Sequence, residues 1–200
     1  MTQYFVSDPD RPSHPRIITF WFRGVEEQFL SDDGVFSKDT LDFGSRVLLE
    51  AAVDQEISGR VLDLGCGWGP VGILLKKAHP DIALTLCDIN ERAAALAQEN
   101  SRRYGQDNET VVSDGLANVG GRFDLVVINP PIRAGKETVY RLLDEARQAL
   151  TPTGRLMLVI QKKQGAESCL KHLQASGSAR LITRQKGYWV LTADAPHSTD

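Results

Sequence analysis

From residue 60 onward, short apolar runs rich in branched residues alternate with stretches whose apolar positions recur every three to four residues. Short runs of this kind read as buried strands, and the helical period reads as amphipathic helix. The pattern predicts strands over 60–64, 82–87, 110–112, 124–128 and 155–160. It predicts helices over 70–78, from Asn90 as N-cap to residue 103, over roughly 137–150, and over about 165–175. Thr151-Pro152-Thr153-Gly154 reads as a turn. Two closing strands, 180–183 and 188–192, flank Arg184-Gln185-Lys186-Gly187, a gap of hairpin length, so the final strand should run antiparallel. Strand–helix alternation predicts an α/β fold: a seven-stranded, mostly parallel sheet with helices on both faces.

Upstream the pattern differs. Residues 1–16 are rich in Pro, Asp and Ser and read as a mobile arm. Residues 17–22 and 27–30, split by Arg23-Gly24-Val25, predict a small hairpin, and Ser31-Asp32-Asp33-Gly34 a turn. Leu41, Val47, Leu48, Ala51 and Ala52 then share a helical face. The organisation that follows is an arm (1–16), a small β-containing N-terminal extension packed on the core (17–55), the main domain (56–193) and a frayed tail (194–200).

Composition narrows the class. Two hundred residues with 42% hydrophobic content suffice for one domain with a sizeable core. No apolar run approaches the roughly 20 residues of a membrane span, and the N-terminus lacks the apolar stretch of a signal peptide, so a soluble, cytoplasmic chain is expected. Cys66, Cys87 and Cys169 form no Cys-x-x-Cys pair, and the four histidines are scattered, so neither a disulfide framework nor a metal site is indicated. A net charge of −3 argues against indiscriminate nucleic-acid binding but leaves room for a local basic patch.

Candidate chemistry centres on Asp63-Leu64-Gly65-Cys66-Gly67-Trp68-Gly69, between the strand at 60–64 and the helix at 70–78. Glycines there tolerate positive φ and let a ligand approach the backbone, and the helix start offers outward N–H groups. Asp63 reads either as a partner for a donor on the ligand or as a strut for the loop. In open α/β sheets ligands lie outside the carboxyl ends of the strands. Asp88 sits there, about 20 residues past the glycines, where an acceptor-only carboxylate suits a ribose diol or caps a helix. Asp114, in Ser113-Asp114-Gly115, suits an exocyclic adenine amine or an ordinary turn.

Asn129-Pro130-Pro131-Ile132 closes the strand at 124–128. Neither proline donates to a ladder, but together they hold a loop rigid, and the residue before a proline is extended. The Asn129 oxygen and a carbonyl of the Pro-Pro turn can accept the two hydrogens of a planar amine and align its nitrogen with an electrophile. Arg133 and Lys136, Lys162 and Lys163, and Arg184 and Lys186 fall in three loops that the predicted topology brings to the same edge, a footprint for a polyanion or a set of solvated cations. Tyr188 and Trp189 either stack on a base or close the core.

The glycine motif, Asp88 and the Asn-Pro-Pro loop together resemble the class I S-adenosylmethionine-dependent methyltransferases, with their Rossmann-like fold. Gly34-Val35-Phe36-Ser37, Leu41-Asp42-Phe43-Gly44-Ser45 and the Asn-Pro-Pro loop resemble, more narrowly, the small-domain methyltransferases related to bacterial 16S ribosomal RNA guanine-N2 methyltransferase, and Asn129 through Lys136 with Ile160-Gln161-Lys162-Lys163-Gln164-Gly165 resemble the compact single-domain branch of that family. The resemblance covers roughly residues 16–193. It implies S-adenosylmethionine as cofactor, lined by Asp63, Gly65, Cys66, Gly67, Gly69, Asp88, Ile89, Asp114, Gly115 and Asn129. Phe36, Ser37 and Asp42 would close over it. The acceptor amine would be gripped by Asn129, Pro130, Pro131 and Ile132; where many amino methyltransferases carry an aromatic residue after Pro-Pro, this chain has Ile132. Arg133, Lys136, Lys162, Lys163 and Lys186 would hold ribosomal RNA or a ribosomal subunit, with the protein acting as a monomer or homodimer. The implied reaction is methylation of an exocyclic amine of RNA, guanine N2 of 16S rRNA. The rivals are another amine (DNA or tRNA adenine N6, or protein glutamine), a nicotinamide oxidoreductase, and a catalytically silent RNA-binding module.

Overall fold

The computed structural model describes residues 12–196. Strands β1 (Arg16–Phe22) and β2 (Val25–Ser31) form an antiparallel hairpin, followed by helix α1 (Phe43–Val53). Then come β3 (Arg60–Leu64), α2 (Pro70–Ala78), β4 (Ala83–Asp88), α3 (Glu91–Arg103), β5 (Glu109–Val112), β6 (Phe123–Ile128), α4 (Lys136–Gln148), β7 (Leu150–Gln161), α5 (Ala166–Gln174), β8 (Ala179–Gln185) and β9 (Tyr188–Asp194). The seven later strands form one sheet in the order β5-β4-β3-β6-β7-β9-β8, in which β9 alone runs against its neighbours.

Strands covered on both faces need apolar residues at successive positions. In β6, Leu125 and Val127 face one core with α1, α2 and α3, whereas Val126 and Ile128 face the other with α4 and α5. Leu62 and Leu64 of β3 join the second core and Val61 the first. Cys66, Cys87 and Cys169 are buried free thiols that act as small apolar side chains; burial pushes Cys87 and Cys169 up to about 12. No helix among the described residues is long and apolar enough to cross a membrane.

The hairpin is locked onto the glycine loop by rings. Phe29 is fully buried, with its ring centre 5.2 Å from Trp68, 4.7 Å from Tyr104 and 5.6 Å from Phe20. Asn100 of α3 accepts from Leu30 N at 2.7 Å and donates to the carbonyls of Leu30 and Trp68 at 2.9 and 2.8 Å. Buried Glu27 accepts from Lys77 on α2 and from the Tyr104 hydroxyl, each at 2.7 Å. These ties fix the position of the loop that carries Gly65, Gly67 and Gly69.

Three expectations change. Residues 151–154 are not a free turn but an irregular part of β7: Phe123 pairs with Leu150 and Leu125 with Arg155, so four residues bulge opposite Asp124. Pro152 has no N–H for the ladder, and Thr151 Oγ1 donates to Asp124 Oδ1 at 3.1 Å instead. The expected arm lies mostly outside the described residues, and its last part is fastened: Ser13 Oγ and His14 N each donate to buried Asp32 at 2.6 Å. Of the expected tail, residues 197–200 lie outside the described residues, and β9 runs on to Asp194.

Candidate active site

Strand β3 lies between β4 and β6, where the strand order reverses, the position at which open α/β sheets form a crevice. Leu64 pairs with Cys87 on one side and Ile128 on the other. The next residues along these strands are Gly65, Asp88 and Asn129, so they leave the sheet side by side, with adjacent strands about 5 Å apart.

Gly65, Gly67 and Gly69 have φ values of 72°, 58° and 87°, in the left-handed region. They do different work. A Cβ at Gly65 or Gly67 would meet nothing within 4 Å, so these two border open space. A Cβ at Gly69 would press on Ile73 and Ala97, so this glycine serves the packing of α2 against α3 rather than the crevice. Asp63 is likewise a strut: it is buried, and its Oδ2 accepts from Gly72 N at 2.8 Å inside α2. Burial pushes its carboxyl up to about 7, offset in part by that N–H and reinforced by the charge of Asp88. Asp88 accepts from Gly67 N and Asn90 N, both at 2.8 Å, and its half-buried carboxyl is raised by desolvation against these bonds. Asn90 caps α3, as the sequence predicts.

Apolar surface borders this crevice. Ile89 follows Asp88, Val112 pairs beside it, and Phe36 stands on the loop after β2; they are 42%, 43% and 48% exposed. The Phe36 carbonyl accepts from Trp68 Nε1 at 3.2 Å, and the Gly34 carbonyl from Asn90 Nδ2 at 3.1 Å, so this loop is tied to both the glycine loop and α3. Ser37 lies at φ 53°, and its hydroxyl donates within the loop to Thr40 O.

At the Asn-Pro-Pro corner, Ile132 N donates back to the Pro130 carbonyl at 2.9 Å across Pro131, whose φ of −75° and ψ of 77° make an inverse γ-turn. Asn129 Nδ2 donates to Ser45 Oγ at 3.0 Å and to both oxygens of Asp42 at 3.3 and 3.4 Å. Asp42 thus caps α1 and touches Asn129, where the sequence placed it over the cofactor. Ile132 packs its side chain on the α4–α5 core rather than standing clear of it. The half-buried rings on the α1 side of the corner are Phe43, next to Asp42, and Tyr188, centred 5.4 Å apart.

Asp114 and Gly115 follow β5 at the same sheet edge, where Ser113 N donates to Asp88 O at 3.0 Å, and both also meet α4. Asp114 Oδ1 accepts from Arg141 on α4 at 2.6 Å, and a Cβ on Gly115 would strike the neighbouring Glu145 carboxylate. A guanidinium on the facing helix thus pairs with one oxygen of the exposed carboxylate that sequence spacing assigns to adenine. The basic loops do converge. Gln161 and Gln185 both pair with Tyr188, and Lys162 N donates to Gly187 O at 2.8 Å. Arg133, Lys136, Lys162, Lys163, Arg184 and Lys186 are all exposed. Lys162 reaches Glu167 at 3.6 Å; the other five have no carboxylate partner among the described residues.

Three contributors escaped the sequence: Trp68, Ser45 and the contact of Asp42 with Asn129. Asp42 and Ser45 carry only the local signature of a helix start, and their partner lies more than 80 residues away.

Residues 26–192 match the family described as methyltransferase small domain. The chain belongs to that family. It is similar to an uncharacterised protein of Bacillus subtilis, YbxB, 37% identical over 95% of this chain and 96% of that protein's length. The ribosomal RNA small subunit methyltransferase C of Pasteurella multocida is 41% identical over 63% of this chain but only 39% of its own length. Among solved structures, the T. thermophilus 16S rRNA N2 methyltransferase RsmC, in complex with AdoMet and guanosine, superposes with a TM-score of 0.81 at 25% identity, over 92% of this chain and 51% of that one. The chain therefore spans about half or less of these ribosomal RNA methyltransferases. Membership of the methyltransferase small-domain family accounts for the Rossmann-like fold of the chain.

Proposed function

We propose that the chain methylates an exocyclic amine of RNA, the N2 amine of a guanine in 16S ribosomal RNA. The observation that carries this reading is the row of strand ends that sets the open glycine cradle beside the Asn-Pro-Pro corner. Relatives named for small-subunit ribosomal RNA methylation, and a structural neighbour solved with guanosine, support guanine as the acceptor.

The residues fit the cofactor. The backbone of Gly65 and Gly67 borders open space that a side chain at either position would enter. Asp88 retains lone pairs beyond its two backbone bonds for the ribose hydroxyls, and Ile89, Val112 and Phe36 offer apolar surface to a purine ring. When bound, S-adenosylmethionine supplies an electrophilic methyl on a sulfonium: the amine nitrogen forms the new N–C bond, the C–S pair returns to sulfur, and the methylated nitrogen then sheds a proton to solvent.

The protein contributes position. Asn129 Oδ1 and the second lone pair of the Pro130 carbonyl accept the two amine hydrogens, which turns the nitrogen lone pair toward the crevice. Such alignment lowers a barrier by several kcal/mol without a strong base. Phe43 and Tyr188 supply the wall that Ile132, packed inward, does not. The base leaves its stack to arrive there, and the exposed cations of the three loops hold the flanking phosphates.

Labelled S-adenosylmethionine offered with purified RNA, DNA and protein pools tests the reading. Label should enter RNA and reside in N2-methylguanosine. Label confined to DNA or protein, or transfer to none of the three, refutes it.

A further inference from the structure

Both carboxamide hydrogens of Asn129 are taken inside the protein. One partner is Ser45 Oγ, 3.0 Å from Nδ2; the other is the Asp42 carboxylate, whose two oxygens lie 3.3 and 3.4 Å away. Ser45 is buried, and Asp42 is held by the start of α1, accepting from Gly44 N at 2.9 Å and Ser45 N at 3.3 Å. The two partners are not equivalent. A hydroxyl can donate or accept, but a carboxylate only accepts. Turning the Asn129 amide over would therefore set its oxygen against the Asp42 charge. Asp42 fixes the sense of the amide, and the one group Asn129 has left to present is Oδ1, an acceptor.

We propose that Asp42, with Ser45, is a positioning residue that locks the Asn129 carboxamide oxygen outward and so restricts the site to acceptor nitrogens that carry hydrogen. This rests on the methyl-transfer reading of Asn129. An exocyclic amine donates to the presented oxygen. A ring nitrogen with only a lone pair, such as guanine N7 or adenine N1, meets another lone pair and is repelled. The selection of amine over ring nitrogen then resides in a helix cap of the N-terminal extension rather than in the Asn-Pro-Pro loop itself.

A reciprocal exchange separates this from capping. Asn and Asp cap helices equally well, so Asp42→Asn leaves α1 in place. Asn129→Asp sets two carboxylates against each other and should lower methyl transfer to 16S rRNA about 100-fold. The double variant Asp42→Asn with Asn129→Asp restores one donor and one acceptor with their ends exchanged. It should recover at least about tenfold over Asn129→Asp, with the dissociation constant of S-adenosylmethionine within about twofold throughout. A double variant no better than Asn129→Asp overturns the assignment, whereas a native protein that methylates no RNA refutes the parent reading alone. A second measurement needs no acceptor. In the ¹⁵N-labelled native protein both Asn129 side-chain protons should exchange with solvent at least about tenfold more slowly than those of an unbonded carboxamide, and in Ser45→Ala the proton facing residue 45 should lose that protection while the one bonded to Asp42 keeps it. Exchange at the unbonded rate in the native protein overturns the inference.

Discussion

Asp63 and Asp88 lie at neighbouring strand ends, and burial raises the carboxyls of both, yet their tasks differ. Asp63 is enclosed and supports Gly72 N, while Asp88 opens on the crevice. The folded protein holds the Asp63 proton to about pH 7, whereas the unfolded chain releases it near its ordinary value of 3.8. The unfolded state thus binds fewer protons between about pH 4 and 7, and ionisation of Asp63 opposes folding increasingly across that window. Asp63→Asn keeps an acceptor for Gly72 N and should gain stability relative to the native chain from pH 4 to pH 7, by a few kcal/mol. Urea unfolding at both pH values measures this, and a constant difference contradicts it. Asn129→Ala should lower turnover by about 100-fold or more with cofactor affinity nearly unchanged. Asp88→Ala should instead weaken cofactor binding roughly 10- to 100-fold by calorimetry. Equal effects of the two on binding would contradict their separate roles. At this scale, spacing was enough for Asn90, whose capping of α3 depends on neighbours in sequence. It did not reveal the packing of Gly69 against α3 or the ion pair of Asp114 with α4, because those helices are distant in the chain.

At the scale of elements, periodicity located the strands and helices because most of the sheet is buried on both sides, so apolar runs mark it plainly. The segment at 151–154 misled for a physical reason: Thr, Pro and Gly serve a bulge as readily as a turn, and only the pairing of Leu150 with Phe123 tells them apart. The hairpin was legible as a hairpin, but its purpose was not. It seats Phe29 on Trp68 and thereby fixes the back of the glycine loop. Phe29→Ala should cost about 3–5 kcal/mol in chemical denaturation. A loss below 1 kcal/mol would show the hairpin to be an ornament on the main domain.

Over the whole molecule, a chain of net charge −3 keeps six exposed cations on the three loops at one edge of the sheet. Carboxylates elsewhere make the balance acidic, so the basic lip was visible only once topology had gathered the loops. RNA affinity should fall steeply with salt. Lys162→Ala, Lys163→Ala and Lys186→Ala should each reduce the slope of log affinity against log salt by about 1. Unchanged slopes in all three would place the RNA elsewhere.

The proposed methylation of guanine N2 in 16S rRNA is reported directly by the nucleosides of that RNA. Mass spectrometry of digested 16S rRNA from cells with and without the protein should show one N2-methylguanosine disappear on its loss and return with the native chain but not with Asn129→Ala. An unchanged N2-methylguanosine content, or full recovery with Asn129→Ala, would contradict it.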